Sequence, residues 1–290
     1  RANNEDAHGA RGLDDDTLLV VVADGMGGHE AGEVASRLAV ETLHHVVAQE
    51  ARRGPPQAAL FEAFRITNEA ILAESREGGK RGMGTTAVVA WIRGSEVHVG
   101  TVGDSRLYQI RDGRVIARTV DHTRVQSLVD RGLISEAEAR VHPEAGMLTR
   151  ALGHARMSNG EPLVPDVFAE PLELEEGDAL VLSSDGLHDL LEDEEIAQAV
   201  VGRTAAAAAH ALVERALGRG GHDNVTVAVV HVVGPPARPA PRPVVASAEA
   251  ETDPGGVPQE RLLLALGVAG AVLLLLAGVL GGIAAAMLTP

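Results

Sequence analysis

Between residues 85 and 119 four apolar, largely β-branched runs follow one another with only three residues between each: Thr85–Ile92, Glu96–Val102, Arg106–Ile110 and Arg114–Thr119. A connection that short cannot carry a chain back to the same end of a sheet, as parallel pairing requires. The runs therefore predict antiparallel hairpins, with turns at Arg93-Gly94-Ser95 and Arg111-Asp112-Gly113. Thr17–Ala23, Asp178–Ser183 and Asn224–Val233 read as further strands. Apolar positions at Val34, Leu38, Val46 and Val47 predict a helix over 31–49; Leu60, Phe61, Phe64, Ile71 and Leu72 predict another over 56–75. Residues 193–200 and 204–218 also read as helices, and 123–145 as polar, helix-like chain without a strand. Hairpins separated by pairs of helices predict an α+β fold of antiparallel sheets covered by helices, not a doubly wound parallel sheet.

Four aspartate motifs sit at the ends of these strands: Asp24-Gly25-Met26-Gly27-Gly28, Gly103-Asp104-Ser105, Ser183-Ser184-Asp185-Gly186 and Asp223-Asn224. Taken singly, each aspartate is as well explained as a turn residue or a helix cap. Taken together they predict one acidic cluster, and like charges in a cluster repel unless a cation lies between them. With no cysteine in the chain, thiolate metal sites and cysteine nucleophiles are excluded. A cation must then be held by oxygen or imidazole, which points to Mg²⁺, Mn²⁺ or Ca²⁺. The net charge of −16 argues against nucleic acid as a partner. The lone lysine, Lys80, lacks the flanking pattern of a P-loop.

Composition divides the chain into residues 1–233, which read as globular, a Pro- and Ala-rich linker over 234–261, and an uncharged run over 262–288. That run exceeds the roughly 20 apolar residues needed to cross a bilayer and predicts a transmembrane helix. Arg238, Arg242 and Arg261 precede it, so the positive-inside rule predicts a single-pass cell-membrane protein with its globular part in the cytoplasm. The chain begins with arginine rather than methionine, which predicts a short segment upstream.

Seven motifs occur in order: R-A-N-N-E-D-A from Arg1, D-G-M-G-G-H from Asp24, G-T-T from Gly84, G-D-S-R from Gly103, L-T-R-A-L-G from Leu148, S-S-D-G from Ser183 and D-N-V-T from Asp223. In that order and spacing the chain resembles the metal-dependent protein phosphatase 2C family, in its bacterial serine/threonine branch, over residues 1 to about 233. The resemblance implies a four-layer αββα sandwich and a site for two Mn²⁺ or Mg²⁺ ions. Asp24, Asp185 and Asp223 would ligate the ions together with the Gly25 carbonyl, with Glu5 and Asp6 acting mainly through water. Asp104 would help to hold a third, weaker ion. Arg1 would bind the substrate phosphate, and residues from about 121 to 148 would form a flap beside the site. Met26 departs from the family pattern, since many eukaryotic members carry a histidine there, and methionine cannot donate a proton.

The implied function is hydrolysis of phosphoserine and phosphothreonine on proteins by a hydroxide bridging two cations. Substrates would be phosphoproteins, including serine/threonine kinases, which the enzyme would oppose at the membrane; a monomeric catalytic domain is expected. Two alternative readings stand beside it. A catalytically weak regulatory or scaffold module would be expected to lose a ligand, and all are present. Calcium binding alone would explain the aspartates but not Arg1.

Overall fold

The computed structural model describes residues 3–14, 16–27, 29–51, 54–77, 82–234 and 283–288. The first sheet is built from β1 (Asp6–Asp14), β2 (Thr17–Met26), β3 (Gly84–Thr85), β4 (Ala87–Arg93), β5 (Glu96–Val102), β8 (Asp166–Val167) and β9 (Leu172–Glu173). Its order is β1-β2-β4-β5-β8, with β3 on β2 and β9 on β5. The second sheet runs β12-β11-β10-β6-β7, from β6 (Arg106–Arg111), β7 (Arg114–Arg118), β10 (Ala179–Ser183), β11 (Val227–Val232) and β12 (Ile283–Leu288). All described strand pairs are antiparallel. The short turns predicted this for β4–β5 and β6–β7, whereas the equally short connection through Asp104 passes from the first sheet to the second. At the β6–β7 turn both Asp112 and Gly113 take positive φ, 50° and 70°, the conformation that closes a tight hairpin.

Alternation along β2 shows why the sheets stack. Leu19, Val21 and Ala23 pack under α1 (His29–Glu50) and α2 (Pro56–Glu77), beside Ala35, Leu43, Leu60 and Phe64. Leu18, Val20 and Val22 face the other way, into a layer shared with Leu107, Leu180, Leu182, Ala228 and Val230 of the second sheet. The far face of that sheet, through Tyr108, Val181 and Val229, carries α5 (Asp185–His188), α6 (Asp193–Val200) and α7 (Ala205–Gly218). The result is the expected order of helices, sheet, sheet, helices. Two short helices, α3 (Arg124–Asp130) and α4 (Glu136–Arg140), occupy the polar stretch.

Several expectations need correction. The sequence marks no strand over β1. That segment is an edge strand, half-exposed and rich in polar residues and glycine, so it carries no apolar alternation. The run expected as one strand over Thr85–Ile92 breaks at Thr86, whose side chain is turned to Asp24. The transmembrane helix expected over 262–288 lies largely outside the described residues, as does the linker over 234–261. Where that run is described, at Ile283–Leu288, it is a strand paired with β11 from Val227 to Val232, not a helix. An apolar segment must satisfy its backbone polar groups, and an open sheet edge does so as well as a helix. Among the described residues no helix is long and apolar enough to cross a membrane.

His44 of α1 packs against β1 so closely that a Cβ on Gly9 would overlap its ring. Burial pushes His44 down to about 4. The unfolded chain takes up this proton near pH 6.5, the folded one only near 4, so the associated stability is full above pH 6.5 and declines as pH falls through that window. Urea unfolding across it should show the decline, and His44→Gln should make it shallower.

Candidate active site

The end of β2 sets the site. Asp24 is fixed by its backbone: its N–H donates to Thr86 Oγ1 at 2.9 Å, and its carbonyl accepts from the Thr86 N–H and Thr85 Oγ1, both at 2.8 Å. Thr86 Oγ1 also lies 2.7 Å from Ser105 Oγ, which ties the Asp24 strand to the turn that carries Asp104. Gly25 donates its N–H to the Glu5 carbonyl at 3.1 Å, and Ser36 Oγ of α1 donates to the same carbonyl at 2.6 Å. A Cβ on Gly25 would overlap the Gly32 carbonyl, so only glycine lets α1 approach this turn.

The second sheet supplies the other acids. Asp185 opens α5 directly after β10. Ser184, wholly buried, donates to Asp6 Oδ2 at 2.7 Å and accepts from the Thr226 N–H at 3.0 Å. A Cβ on Gly186 would overlap the Asn224 carbonyl, so Gly186 allows the Asp185 and Asp223 segments to touch. Asn224 also accepts from the Glu5 N–H at 2.9 Å and donates to the Asn3 carbonyl at 3.2 Å, which straps the N-terminal acids to the second sheet.

The expected residues thus come from both sheets to one rim, where the carboxylates meet in pairs. Asp6 interacts with Asp223 and Asp24, Asp24 with Asp185 and Asp104, and Asp104 with Asp185 and Asp121. Burial, then Asp185 and Asp6, hold the Asp24 carboxyl well above the usual range. Burial and Asp185 do the same to Asp104. Burial raises Asp6, against the pull of its hydrogen bonds. Among the described residues no three acidic or imidazole side chains form a ready-made cage for a cation. The donor set nevertheless fits a hard cation: it is all oxygen, Asp6 Oδ1 is buried with no hydrogen-bond partner among the described residues, and no described arginine pairs with Asp6, Asp24 or Asp104. Arg1 lies outside the described residues.

Beside the acids opens a cleft of about 690 Å³, floored by Asp24, Gly25, Met26, Thr86, Asp104 and Asp185. Its wall comes from residues between Pro143 and Ser158, among them Glu144, Met147, Arg150, His154 and Arg156. The wall therefore lies mostly beyond the stretch 121–148 expected as a flap. It has no apolar periodicity to mark it in sequence. The sequence also assigns no role to Thr86, Ser105, Ser184 and Asn224, whose one signal is membership of the quoted motifs, or to Ser36, which lies in α1 outside all of them.

A family model described as Protein phosphatase 2C matches residues 1–219. The chain belongs to the protein phosphatase 2C family. It is 42% identical over 236 residues to the serine/threonine protein phosphatase PstP of Mycobacterium tuberculosis, a match that covers 80% of this chain and 43% of that protein. The chain thus spans less than half the length of PstP. To the serine/threonine phosphatase stp of Listeria monocytogenes it is 36% identical over 239 residues, covering 79% of this chain and 90% of that one. A crystal structure of PstP matches with a TM-score of 0.69 at 41% identity, over 79% of this chain and 92% of that one. A crystal structure of the PstP catalytic domain in complex with 2 manganese ions matches with a TM-score of 0.66 at 40% identity, over 79% and 91%.

In this 2C-family chain, Gly25→Ala should cost about 1–3 kcal/mol, the usual range for overpacking. The loss is read as a lower urea midpoint at unchanged slope.

Proposed function

We propose that this chain is a metal-dependent phosphatase that removes phosphate from phosphoserine and phosphothreonine on proteins. The observation that carries the reading is the row of carboxylates, Asp223, Asp6, Asp24, Asp185 and Asp104, on the floor and rim of a cleft in a 2C-family fold. Asp24, Asp185, Asp223 and the Gly25 carbonyl would hold two ions, Mn²⁺ or Mg²⁺, with Glu5 and Asp6 reached through water and Asp104 serving a third. Bound there, the ions would supply countercharge for the phosphoryl oxygens and a water acidified to a nucleophilic hydroxide, the bridging group in the two-ion mechanism. The two manganese ions of the PstP structure support that choice of cofactor.

The chain's own residues do the rest. Arg1 would grip the phosphate through its planar fork. The cleft has room for an extended peptide carrying the phosphoresidue, and its Arg150, Arg156 and Glu144 give the wall polar groups to meet that peptide. Met26, on the floor, cannot protonate the leaving alkoxide, so solvent would do so. The protein would oppose serine/threonine kinases at the membrane. The uncharged run over residues 262–288 supports the anchor, since it exceeds the roughly 20-residue measure; in a membrane Ile283–Leu288 would leave the edge of β11 and complete the span.

Purified protein should hydrolyse p-nitrophenyl phosphate when Mn²⁺ is supplied, EDTA should stop it, and Asp185→Ala should lower kcat by at least about 100-fold. No Mn²⁺-dependent turnover in the unsubstituted chain would leave the scaffold reading instead. For the anchor, cell fractionation should place the chain with membranes, resistant to high salt and released by detergent. A chain cut after Arg261 should stay in the supernatant; recovery of the full chain there would overturn the membrane assignment.

A further inference from the structure

His122 stands between the acids and the cleft wall, with two of its four hydrogen-bonding groups on Gly103 and two toward the wall. Its backbone N–H donates to the Gly103 carbonyl at 2.9 Å, and its carbonyl accepts from the Thr149 N–H at 2.8 Å. On the ring, Nδ1 accepts from the Gly103 N–H at 3.1 Å, and Nε2 lies 2.9 Å from Asp166 Oδ2, with Arg150 Nη1 farther off at 3.4 Å. An N–H aimed at Nδ1 requires a lone pair there. The proton of the neutral ring must then be on Nε2, where it is donated to Asp166.

Beyond Asp166 the connection continues. Arg150 Nη1 binds Asp166 Oδ1 at 2.7 Å, and Arg150 lines the cleft. The hydrogen bond from His122, together with Arg150, holds the Asp166 carboxyl down at about 2 against the effect of its burial. At the other end, Gly103 is pinned. It has φ 99°, a Cβ there would meet the Thr86 side chain, and the next residue is Asp104. His122 itself is 5% exposed, so solvent cannot stand in for any of these partners.

We propose that His122 is a positioning residue, tying the Gly103-Asp104 turn to the Asp166–Arg150 wall so that the acid and the substrate cleft are held as one body. The meaning of the tie rests on the phosphatase reading, because Asp104 matters only if it serves the reaction. The tie itself does not need catalysis to be seen.

Two substitutions separate the two ends of the ring. Gln at 122 can still reach Asp166 with its amide, but leaves the Gly103 N–H without an acceptor. Asn can offer an oxygen where Nδ1 stood, but no longer reaches Asp166. In the full-length protein, ¹⁵N spectra of the histidine rings should show His122, assigned by its loss in His122→Asn, protonated on Nε2. Hydrogen exchange at the Gly103 amide should be faster by roughly fivefold or more in His122→Gln, as loss of one hydrogen bond implies. It should stay closer to the unsubstituted rate in His122→Asn. With Mn²⁺ and a phosphothreonine peptide, His122→Gln should lower kcat, whereas His122→Asn should chiefly raise KM. An Nδ1-protonated ring, or a Gly103 amide that exchanges equally slowly in His122→Gln, overturns the proposal. If His122→Gln does not fold, the ring tautomer decides alone. Inactivity of every protein, the unsubstituted chain included, would defeat the phosphatase reading while the tautomer and exchange results still judge the tie.

Discussion

Strand β2 is buried on both faces, and the site depends on that. One row of its side chains lies beneath α1 and α2 and the other lies between the sheets. A one-residue slip would turn each row toward the wrong layer, so the register is strongly fixed. The same register decides where the strand emerges, and it emerges at Asp24. Opposite it, β10 is buried along its whole length and ends at Ser183, so Asp185 appears at the same rim from the other sheet. Two carboxylates are brought together by hydrophobic packing that has no interest in charge.

Holding them there is costly, and the structure shows how the cost is met. Asp24, Asp104 and Asp6 all sit where burial and neighbouring acids disfavour ionisation. Uncharged hydrogen bonds, to backbone and side chain alike, hold Asp24 and Asp6 in place. Thr86 holds the backbone of Asp24 from both sides, and the Glu5 carbonyl holds Gly25. A site built this way suits a cation because the framework has already brought the repelling charges together; a divalent ion placed there would relieve that repulsion.

How much of this was legible follows from which signals are local. The hairpins of residues 85–118 were, since turn length and β-branching are local, and Asp112-Gly113 took the conformation its residue types favour. The aspartate motifs at strand ends were legible as positions, but their convergence came from family resemblance, because no spacing in sequence says that residues 24 and 185 meet. β1 was missed because an edge strand needs apolar side chains on neither face along most of its length. β8 and β9, two residues each, are too short to show a period. His122 escaped for a different reason. Its role lies wholly in partners at 103, 149 and 166, and nothing beside it in sequence points to them. The run over 262–288 misled at its end, since the apolarity that suits a bilayer equally suits the edge of β11.

The residues that brace the acids are chosen for what they leave uncharged. Ser36, Thr86, Ser105, Ser184 and Asn224 do the bracing, and each supplies hydrogen bonds without positive charge. Thr86, Ser184 and Asn224 also accept backbone N–H groups, which a lysine or arginine, having no acceptor, could not do. Arg106, two residues after Asp104, binds other partners. Its Nε and Nη2 hold Asp121 at 2.7 and 2.6 Å, and Nη1 reaches the Tyr108 hydroxyl at 3.1 Å. Its charge is thereby used on a carboxylate behind the site. The negative potential at the rim survives folding because the supporting atoms are hydroxyls, amides and glycine-tight backbone. A cation entering from solvent then meets Asp6, Asp24 and Asp104, none of which a described arginine pairs with.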